Sequence, residues 1–325
     1  AEQVQLVDYL GVAHLLEAYE LREAGIQLPI LIMGQLSLDT DGLEYCIQHD
    51  IELCVSSIEL ISKLDIIAQA MGKPAIVHVD IDTGMGRTGF LYDDINSFTR
   101  LKDFQNKIQY KGMMTHFSVA DSPKEEDIQF TQNQVERFEK CKSEILQLLN
   151  QSCILTHVSN SGGVAFHPGM SFNMIRPGIA SYGYSEKAHE IGIVPIMEVH
   201  SEITLIKSFP PHSSIGYGRT YITAQKERFG IVPIGYGDGL FRSLSNKLTP
   251  IINGKKTELV GRISMDQSMI RVDDTIQVGD KVIILGTSGT VSNTAEDIAF
   301  QANTIPYEIV CALGNSKRLI HAYVD

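Results

Sequence analysis

Apolar and polar positions divide the chain into two stretches with different periodicities. Before about residue 190, short apolar runs alternate with amphipathic helical patterns. The runs lack polar alternation, which is typical of strands buried on both faces. They predict strands at 8–12, 29–34, 51–55, 75–82, 110–117, 154–160 and 175–183, and the patterns between them predict helices at 15–25, 56–72 and 124–151.

Repeated strand–helix–strand units predict a parallel sheet, and this many in succession favour a closed (β/α)8 TIM-type barrel. We predict this barrel for residues 1–190. An eight-stranded barrel needs one strand more than the pattern supplies, and the first candidate strand begins at residue 8. We therefore expect the first β/α unit of the barrel to be missing from this sequence.

After about residue 190 the pattern changes to short β-type runs separated by Gly, Asn and Asp turns. Helical periodicity returns only at 292–303. Such spacing is typical of hairpins, so we predict a mainly antiparallel β domain over residues 191–325.

Composition narrows the class of protein. The 325 residues are 43% hydrophobic with a net charge of −12, and the acidic residues are scattered, which disfavours a nucleic-acid partner. No apolar run approaches the length of a membrane span, and the first residues lack a secretory signal. We expect a cytoplasmic protein without membrane contact from this chain, while an anchoring domain elsewhere in its parent stays open. Five cysteines without a CxxC pair predict no metal site.

Polar residues follow the strand candidates of the first stretch, where a β/α barrel carries its active site. Arg176 is the most informative, because an arginine facing a barrel interior must find acceptors. For other candidates a role without function is the alternative: an arginine in a turn can simply be solvated, and a histidine after a strand can be structural. The candidates are Asp80, Arg87, His116, His157, Asn160, Ser161 and Arg176. In the second stretch, glycines that permit close approach flank Tyr217, Tyr236, Arg242, Arg262 and Met265.

Eight segments carry a resemblance to a known family. They are DTGMGRTG, MTHFSVAD, HVSNSGG, IRPGIASYG, GYGRTY, VPIGYGDGLFR, VGRISMDQ and TIPYEIVC. In this order and near this spacing they resemble the fold-type III alanine racemases, which depend on pyridoxal 5′-phosphate (PLP). The resemblance implies a barrel followed by a β domain, a homodimer with shared active sites, and interconversion of L- and D-alanine for cell-wall peptidoglycan. Serine stays open as a substrate.

The resemblance also implies roles for single residues. Tyr217 matches a catalytic base supplied by the neighbouring subunit, His116 the histidine that hydrogen-bonds it, and Arg176 the arginine at the pyridine nitrogen. The cofactor's phosphate is implied to bind Ser161, Gly178, Ile179 and Tyr307, with Asn160 ordering the loop and His157 near the ring. Substrate contacts fall to Arg87, Met265 and Asp80, and an entry corridor to Tyr236, Arg242, Arg262 and Asp121.

Two departures from the family pattern stand out. The motif that carries the cofactor-binding lysine, similar to KANAYGHG, does not occur, and we expect it ahead of residue 1. Asp80 stands where many members have a lysine that becomes carbamylated, and we predict that Asp80 pairs with Arg87 directly or through water. Ser264 replaces a common cysteine. These departures resemble the branch that includes serine racemases of vancomycin resistance.

Three other functions stay open on sequence grounds. A basic-amino-acid decarboxylase shares the barrel and β-domain plan, although GYGRTY and GRISMDQ do not suit it. A non-catalytic PLP carrier usually consists of the barrel alone. A racemase of broad specificity, acting on larger or basic side chains, is a lesser alternative.

Overall fold

The computed structural model describes residues 7–37, 39–184, 189–316 and 318–322. The chain forms two compact units, Ala1–Gly178 and Ile179–Asp325. The domain boundary predicted after residue 190 stays a prediction.

The first unit alternates strands and helices. Its strands are β1 (Leu10–Val12), β2 (Ile30–Ile32), β3 (Ile51–Val55), β4 (Ala75–Asp82), β5 (Phe90–Leu91), β6 (Ile108–Met114) and β7 (Leu155–His157). Its helices are α1 (Leu15–Glu23), α2 (Thr40–Gln48), α3 (Ile58–Met71), α4 (Ile95–Leu101), α5 (Glu125–Leu148) and α6 (Ser161–Phe166). All pairings are parallel in the order β1-β2-β3-β4-β6-β7, with β5 on β4, so the predicted barrel-type fold is confirmed as a curled half-barrel sheet.

Helix α3 shows how the sequence specifies this packing. The Ser57 side chain accepts a hydrogen bond from the Leu60 N–H at the start of the helix, and Gly72 ends it in the left-handed conformation. Between these ends Ile61 and Leu64 are completely buried in the core that covers the sheet. Strand β3 is buried along its whole length, including Glu52 within its otherwise apolar run, as expected of a strand covered on both faces.

The prediction of a strand at 175–183 is wrong. This segment instead contains a short helix, α7 (Gly178–Ser181). The preceding residues do approach β7, because Asn173 N–H donates to Thr156 O and Arg176 N–H to Ser159 O. These contacts are three residues apart rather than two, and Pro177 has no N–H to continue them, so no ladder forms.

In its described residues the second unit consists mainly of antiparallel strands, which confirms the predicted β domain. The strands are β8 (Val199–Glu202), β9 (Leu205–Phe209), β10 (Ser214–Ile215), β11 (Tyr221–Ile222), β12 (Glu227–Val232), β13 (Ile251–Ile252), β14 (Lys255–Lys256), β15 (Leu259–Val260), β16 (Ser268–Arg271), β17 (Lys281–Ser288) and β18 (Val291–Asn293). The helices are α8 (Ala295–Ala302), within the pattern at 292–303, and α9 (Pro306–Gly314).

Helix α9 was not expected from the sequence. Its first turn contains Pro306, which fits the start of a helix because the missing N–H would have no partner there. Ile309 and Leu313, four residues apart, are buried in the second core. Two helical turns are too short a window for the periodicity to be distinguished from a β-type run. Within the described ranges no helix is both long and apolar enough to cross a membrane.

Candidate active site

Arg176 lies in the first unit with four of its N–H groups directed at acceptors. Its Nη1 lies 2.7 Å from both His157 Nδ1 and His157 O, and its Nη2 lies 2.8 Å from Thr115 O and 3.2 Å from Val158 O. These acceptors follow or end β6 and β7. The carboxyl ends of two neighbouring strands therefore orient one guanidinium, as the sequence predicted for an arginine that must be satisfied.

One donor of Arg176 is left over. Among the described residues the Nε–H has no acceptor, whereas the other N–H groups have partners. Burial lowers the pKa of Arg176 to about 10, which still leaves the side chain cationic at neutral pH. The guanidinium is thus held rigidly with a single N–H to offer to a ligand atom that accepts a hydrogen bond.

Behind Arg176 a continuous row of buried polar groups crosses the sheet. His157 Nε2 lies 2.7 Å from His78 Nδ1, and His78 Nε2 lies 2.8 Å from Glu52 Oε2. Lys111 Nζ approaches the other oxygen of Glu52 to 2.6 Å. We call Arg176, His157, His78 and Glu52 the buried row. Both histidines are fully buried and Glu52 is 2% exposed.

His116 lies on the other side of the guanidinium. Its Nδ1 is 3.5 Å from Arg176 Nη2 and its Nε2 is 3.3 Å from Asn160 Nδ2. Burial, Arg176 and Arg87 together lower the pKa of His116 to about 4. The imidazole is therefore neutral at neutral pH and can accept one hydrogen bond while donating another.

The connection from β7 into α6 carries Asn160 and Ser161, two of the residues assigned to the cofactor's phosphate and its loop. Asn160 accepts from the Gly163 N–H and donates to Phe117 O, which fixes the start of helix α6 at Ser161. A Cβ added at Gly178 would lie 3.9 Å from Ser161 Oγ, so these two residues are neighbours. Asp121, expected in the entry corridor, lies beside Gly162 in this first unit.

Asp80 and Arg87 do not form the direct ion pair that we expected. Within the described ranges the Asp80 carboxylate accepts from Ser56 Oγ at 3.3 Å and from Thr88. Asp80 is 2% exposed while Arg87 is exposed, because the short aspartate side chain stays at the strand and does not follow the turn. Burial raises the pKa of Asp80 despite these hydrogen bonds. A pairing through water stays a prediction.

Helix α5 holds two of these strand ends together. The fully buried Gln134 donates from its Nε2 to Thr83 Oγ1 and to His116 O, and its Oε1 accepts from the Ser118 N–H. One turn later, Arg137 Nη1 donates to Thr83 O at 2.7 Å. One helix thus anchors both the turn after β4 and the turn after β6.

In the second unit, residues from three separate loops line one open cavity of about 780 Å³. The predicted residues among its lining are Tyr217, Tyr236, Arg242, Arg262 and Met265. The fold therefore brings together residues that are up to 48 positions apart in the chain, and their roles stay a prediction. Asp121 is not among the residues that line this cavity.

Two glycines in left-handed conformations present Tyr217 to solvent. Gly216 and Gly218 have φ angles of 71° and 70°, and the tyrosine between them is 71% exposed. A Cβ added at Gly218 would lie 2.6 Å from Arg262 Nη1. Glycine is needed at this position both for the backbone conformation and for the space that the Arg262 guanidinium occupies.

Backbone contacts fix the position of Met265. Gly237 N–H donates to Met265 O at 2.9 Å, and Tyr236 N–H donates to Ser264 O at 3.1 Å. Within the described part of the chain, the Met265 N–H has no acceptor of its own. It is therefore free to donate to a ligand, and its role at the substrate's carboxylate stays a prediction. Ile179, which packs against the second core, and Tyr307, in the first turn of α9, complete the predicted residues.

Sequence reasoning missed Glu52, His78, Lys111 and Gln134. A signal was present for the first two, because each interrupts an apolar strand run, in IELCV and AIVHVDID. A charged or ionisable side chain inside such a run must be paired. Gln134 carried no comparable signal, since an amide on an amphipathic helix is usually solvated.

Comparison with known proteins identifies relatives over both units. The family described as "Alanine racemase, N-terminal domain" matches residues 1–186, and "Alanine racemase, C-terminal domain" matches residues 196–321. The chain is 37% identical to "Alanine racemase 2" of Caldanaerobacter subterraneus subsp. tengcongensis, over 98% of this chain and 81% of that protein. It is 38% identical to an alanine racemase of Treponema denticola, over 98% of this chain and 85% of that protein.

Solved structures show the same relationship. The alanine racemase of Clostridium difficile 630 superposes with a TM-score of 0.84 at 37% identity, covering 96% of this chain and 80% of that one. The enzyme of E. faecalis gives a TM-score of 0.82 at 34% identity, covering 94% and 81%. With both domains matched and relatives this similar along nearly its whole length, the chain belongs to the alanine racemase family.

Proposed function

We propose that this chain is an alanine racemase, an isomerase that interconverts L- and D-alanine and so supplies D-alanine for peptidoglycan. The observation that carries the proposal is the state of Arg176. Its guanidinium is immobilised by His157, Thr115 and Val158, with the Nε–H left to donate. A fixed cation with one spare donor suits an acceptor such as an unprotonated ring nitrogen.

Alanine racemases depend on PLP, and the residues present fit this cofactor. We assign the ring nitrogen to Arg176, the ring surroundings to His157, and the phosphate to Ser161, Gly178, Ile179 and Tyr307, with Asn160 bracing the loop. When bound, PLP supplies an electron sink that makes the α-proton of an amino acid acidic. An arginine cannot give its proton to the ring nitrogen, so it keeps that sink weak and disfavours transamination.

Tyr217 is assigned the proton transfer at one face of the substrate's α-carbon. A phenol with an ordinary pKa of about 10 is a poor base at neutral pH and needs a partner that stabilises its ionised form. The neutral His116, with Arg176 beside it, is the partner assigned by the family resemblance. The opposite face is assigned to the family's cofactor-binding lysine, whose motif is not among residues 1–325.

The substrate's carboxylate is assigned to Arg87 and to the free N–H of Met265. Tyr236, Arg242, Arg262 and Asp121 are assigned to the entry corridor, and Asp80 is the anion that replaces a carbamylated lysine. A corridor lined by such large side chains favours a small amino acid. We therefore propose alanine as the preferred substrate and serine as a slower one.

A direct assay tests the activity. The protein loaded with PLP should remove the optical rotation of L-alanine faster than that of L-serine. Arg176→Glu should raise the ratio of transamination to racemisation, because a carboxylic acid can share a proton with the ring nitrogen. A PLP-loaded protein that racemises neither amino acid would overturn the proposal. Release of CO2 from lysine or ornithine would instead support the decarboxylase, which no observation in this structure favours.

We also propose a homodimer in which each subunit supplies Tyr217 to the other's site. The 71% exposure of this tyrosine supports the proposal, since a base at work inside its own subunit would be shielded from water. A mixing experiment tests it. Tyr217→Phe and Arg176→Ala chains, each inactive alone, should recover about a quarter of the wild-type activity when refolded together, because half of the dimers then contain one intact site. Absence of recovery in mixed dimers would contradict the shared site.

A further inference from the structure

The buried row has a direction that hydrogen-bond chemistry fixes without reference to any ligand. Arginine can only donate, so His157 Nδ1 must accept from Arg176 Nη1. A neutral imidazole that accepts at Nδ1 carries its proton at Nε2, so His157 donates to His78 Nδ1. The same argument applied to His78 leaves an Nε2–H that donates to Glu52.

The row therefore ends in a carboxylate, which accepts from both sides. Burial alone would raise the pKa of Glu52, but the hydrogen bonds from His78 and Lys111 together lower it below its usual range. Burial beside Arg176 and His78 lowers the pKa of His157 well below its usual value. Two neutral imidazoles thus connect a guanidinium cation at one end with an anion at the other.

The backbone is adapted to this arrangement. His78 on β4 is paired with Gly112 on β6, and a Cβ at residue 112 would lie 2.0 Å from His78 Nδ1. The imidazole passes over the glycine and so reaches His157 on β7, one strand further along the sheet. The pairing of β4 with β6 shifts register between Val77 and His78, where the ring turns toward the row.

We propose that Glu52 and His78 are positioning residues that act through His157 to hold the Arg176 guanidinium in one orientation with its Nε–H free. This proposal rests on the proposed function in one respect only, namely that the Nε–H donates a hydrogen bond to the ring nitrogen of the cofactor. The anion at Glu52 aligns the dipoles of both imidazoles, and their alignment strengthens the acceptor at His157 Nδ1. A stronger acceptor restricts the movement of Nη1 and keeps the guanidinium plane fixed.

A spectroscopic test needs neither substrate nor cofactor. In protein labelled with ¹⁵N-histidine, long-range ¹H–¹⁵N spectra distinguish the two tautomers of a neutral imidazole. His78 and His157, assigned through His78→Gln and His157→Gln, should both be neutral Nε2–H tautomers. A protonated Nδ1 on His157 would overturn the proposal, because that nitrogen could no longer accept from Arg176.

A pair of variants separates positioning from simple stabilisation. Glu52→Gln and Lys111→Met each remove the Lys111–Glu52 ion pair, but only Glu52→Gln removes the carboxylate beneath His78. Glu52→Gln should shift the His157 and Arg176 side-chain resonances and lower kcat about tenfold with little change in KM for alanine. Lys111→Met should leave those resonances in place and reduce kcat by less than about twofold.

The outcomes also distinguish this proposal from the proposed function. Equal losses of kcat in the two variants, with unshifted resonances, would show that the ion pair only stabilises the fold and would overturn the positioning role. A different result would separate the two proposals. If both histidines are Nε2–H tautomers and only Glu52→Gln shifts the resonances, but the protein racemises nothing, the positioning of Arg176 is supported. Only the racemase assignment is then overturned.

Discussion

The two units present their polar residues in opposite ways. In the first unit Arg176, His157, His78 and Glu52 satisfy one another, and the two histidines are completely shielded from water. In the second unit Tyr217 is 71% exposed, and the Met265 N–H has no acceptor among the described residues. The first arrangement is fixed by its own fold, whereas the second offers groups to something outside the unit. Each should therefore respond differently to substitution.

The largest effect is expected at Gly112, beneath the buried row. Gly112→Ala places a Cβ 2.0 Å from His78 Nδ1, in an interior that cannot move aside, and should lower the free energy of unfolding by about 2–4 kcal/mol. Gly169→Ala is the matched control, because no atom lies within 4 Å of its added Cβ. Urea denaturation of both variants measures the difference. Equal stability of the two would contradict close packing around His78.

A substitution at the exposed cavity should reduce the activity of the protein more than its stability. Gly218→Ala and Gly254→Ala share nearly the same left-handed φ, 70° and 75°, and each should lower the free energy of unfolding by about 1 kcal/mol. Only Gly218→Ala displaces Arg262, whose Nη1 lies 2.6 Å from the added Cβ. We expect kcat/KM for alanine to fall in Gly218→Ala and to stay unchanged in Gly254→Ala. Parallel losses in both variants would show that Arg262 has no part in the reaction.

His116 should make stability depend on pH. Its pKa is about 4 in the folded protein and about 6.5 in the unfolded chain, so between these values the unfolded chain binds more protons. The free energy of unfolding should therefore rise with pH across this window, by at most about 1.4 kcal/mol per pH unit, and be lost as pH falls. His116→Gln should flatten the slope. An unchanged slope in His116→Gln would mean that another group titrates.

The smallest change in the free energy of unfolding is expected at Asp80. Burial raises its pKa, so ionisation costs stability above the pKa of the unfolded aspartate, and that cost disappears as pH falls. Asp80→Asn should raise the free energy of unfolding at pH 7 by up to about 1 kcal/mol, with no gain at low pH. Asp82→Asn should have the opposite sign, because Asp82 accepts from the N–H groups of Gly84 and Gly86. Destabilisation by Asp80→Asn at pH 7 would contradict this account.

The sequence predicted the order of elements in the first unit well, because buried parallel strands and amphipathic helices differ strongly in period. Helix α3 and strand β3 lie where the pattern placed them. The prediction of a strand at 175–183 was wrong because the apolar residues of this segment resemble those of a strand. Pro177 lacks the N–H that would continue the pairing with β7. Helix α9 was missed for a related reason, since its short apolar run fits either period.

Only part of the candidate site could be predicted from the sequence. Residues named by the family resemblance, such as Tyr217 and Arg262, line the same cavity in the structure. The partners of Arg176 were not predicted, because hydrogen bonds across strands depend on register and on space such as that above Gly112. The direct Asp80–Arg87 ion pair is not formed, because the short side chain of Asp80 stays at the strand beside Ser56 and Thr88, and a pairing through water stays a prediction.

The amide of Gln134 donates to the segments after both β4 and β6, so helix α5 is hydrogen-bonded to both of them. A displacement of α5 by a crystal neighbour, a tag or a second protein would shift Thr83 and His116 in concert. Helix α5 therefore connects its outer face with the segment that carries His116, whose Nδ1 lies 3.5 Å from Arg176 Nη2.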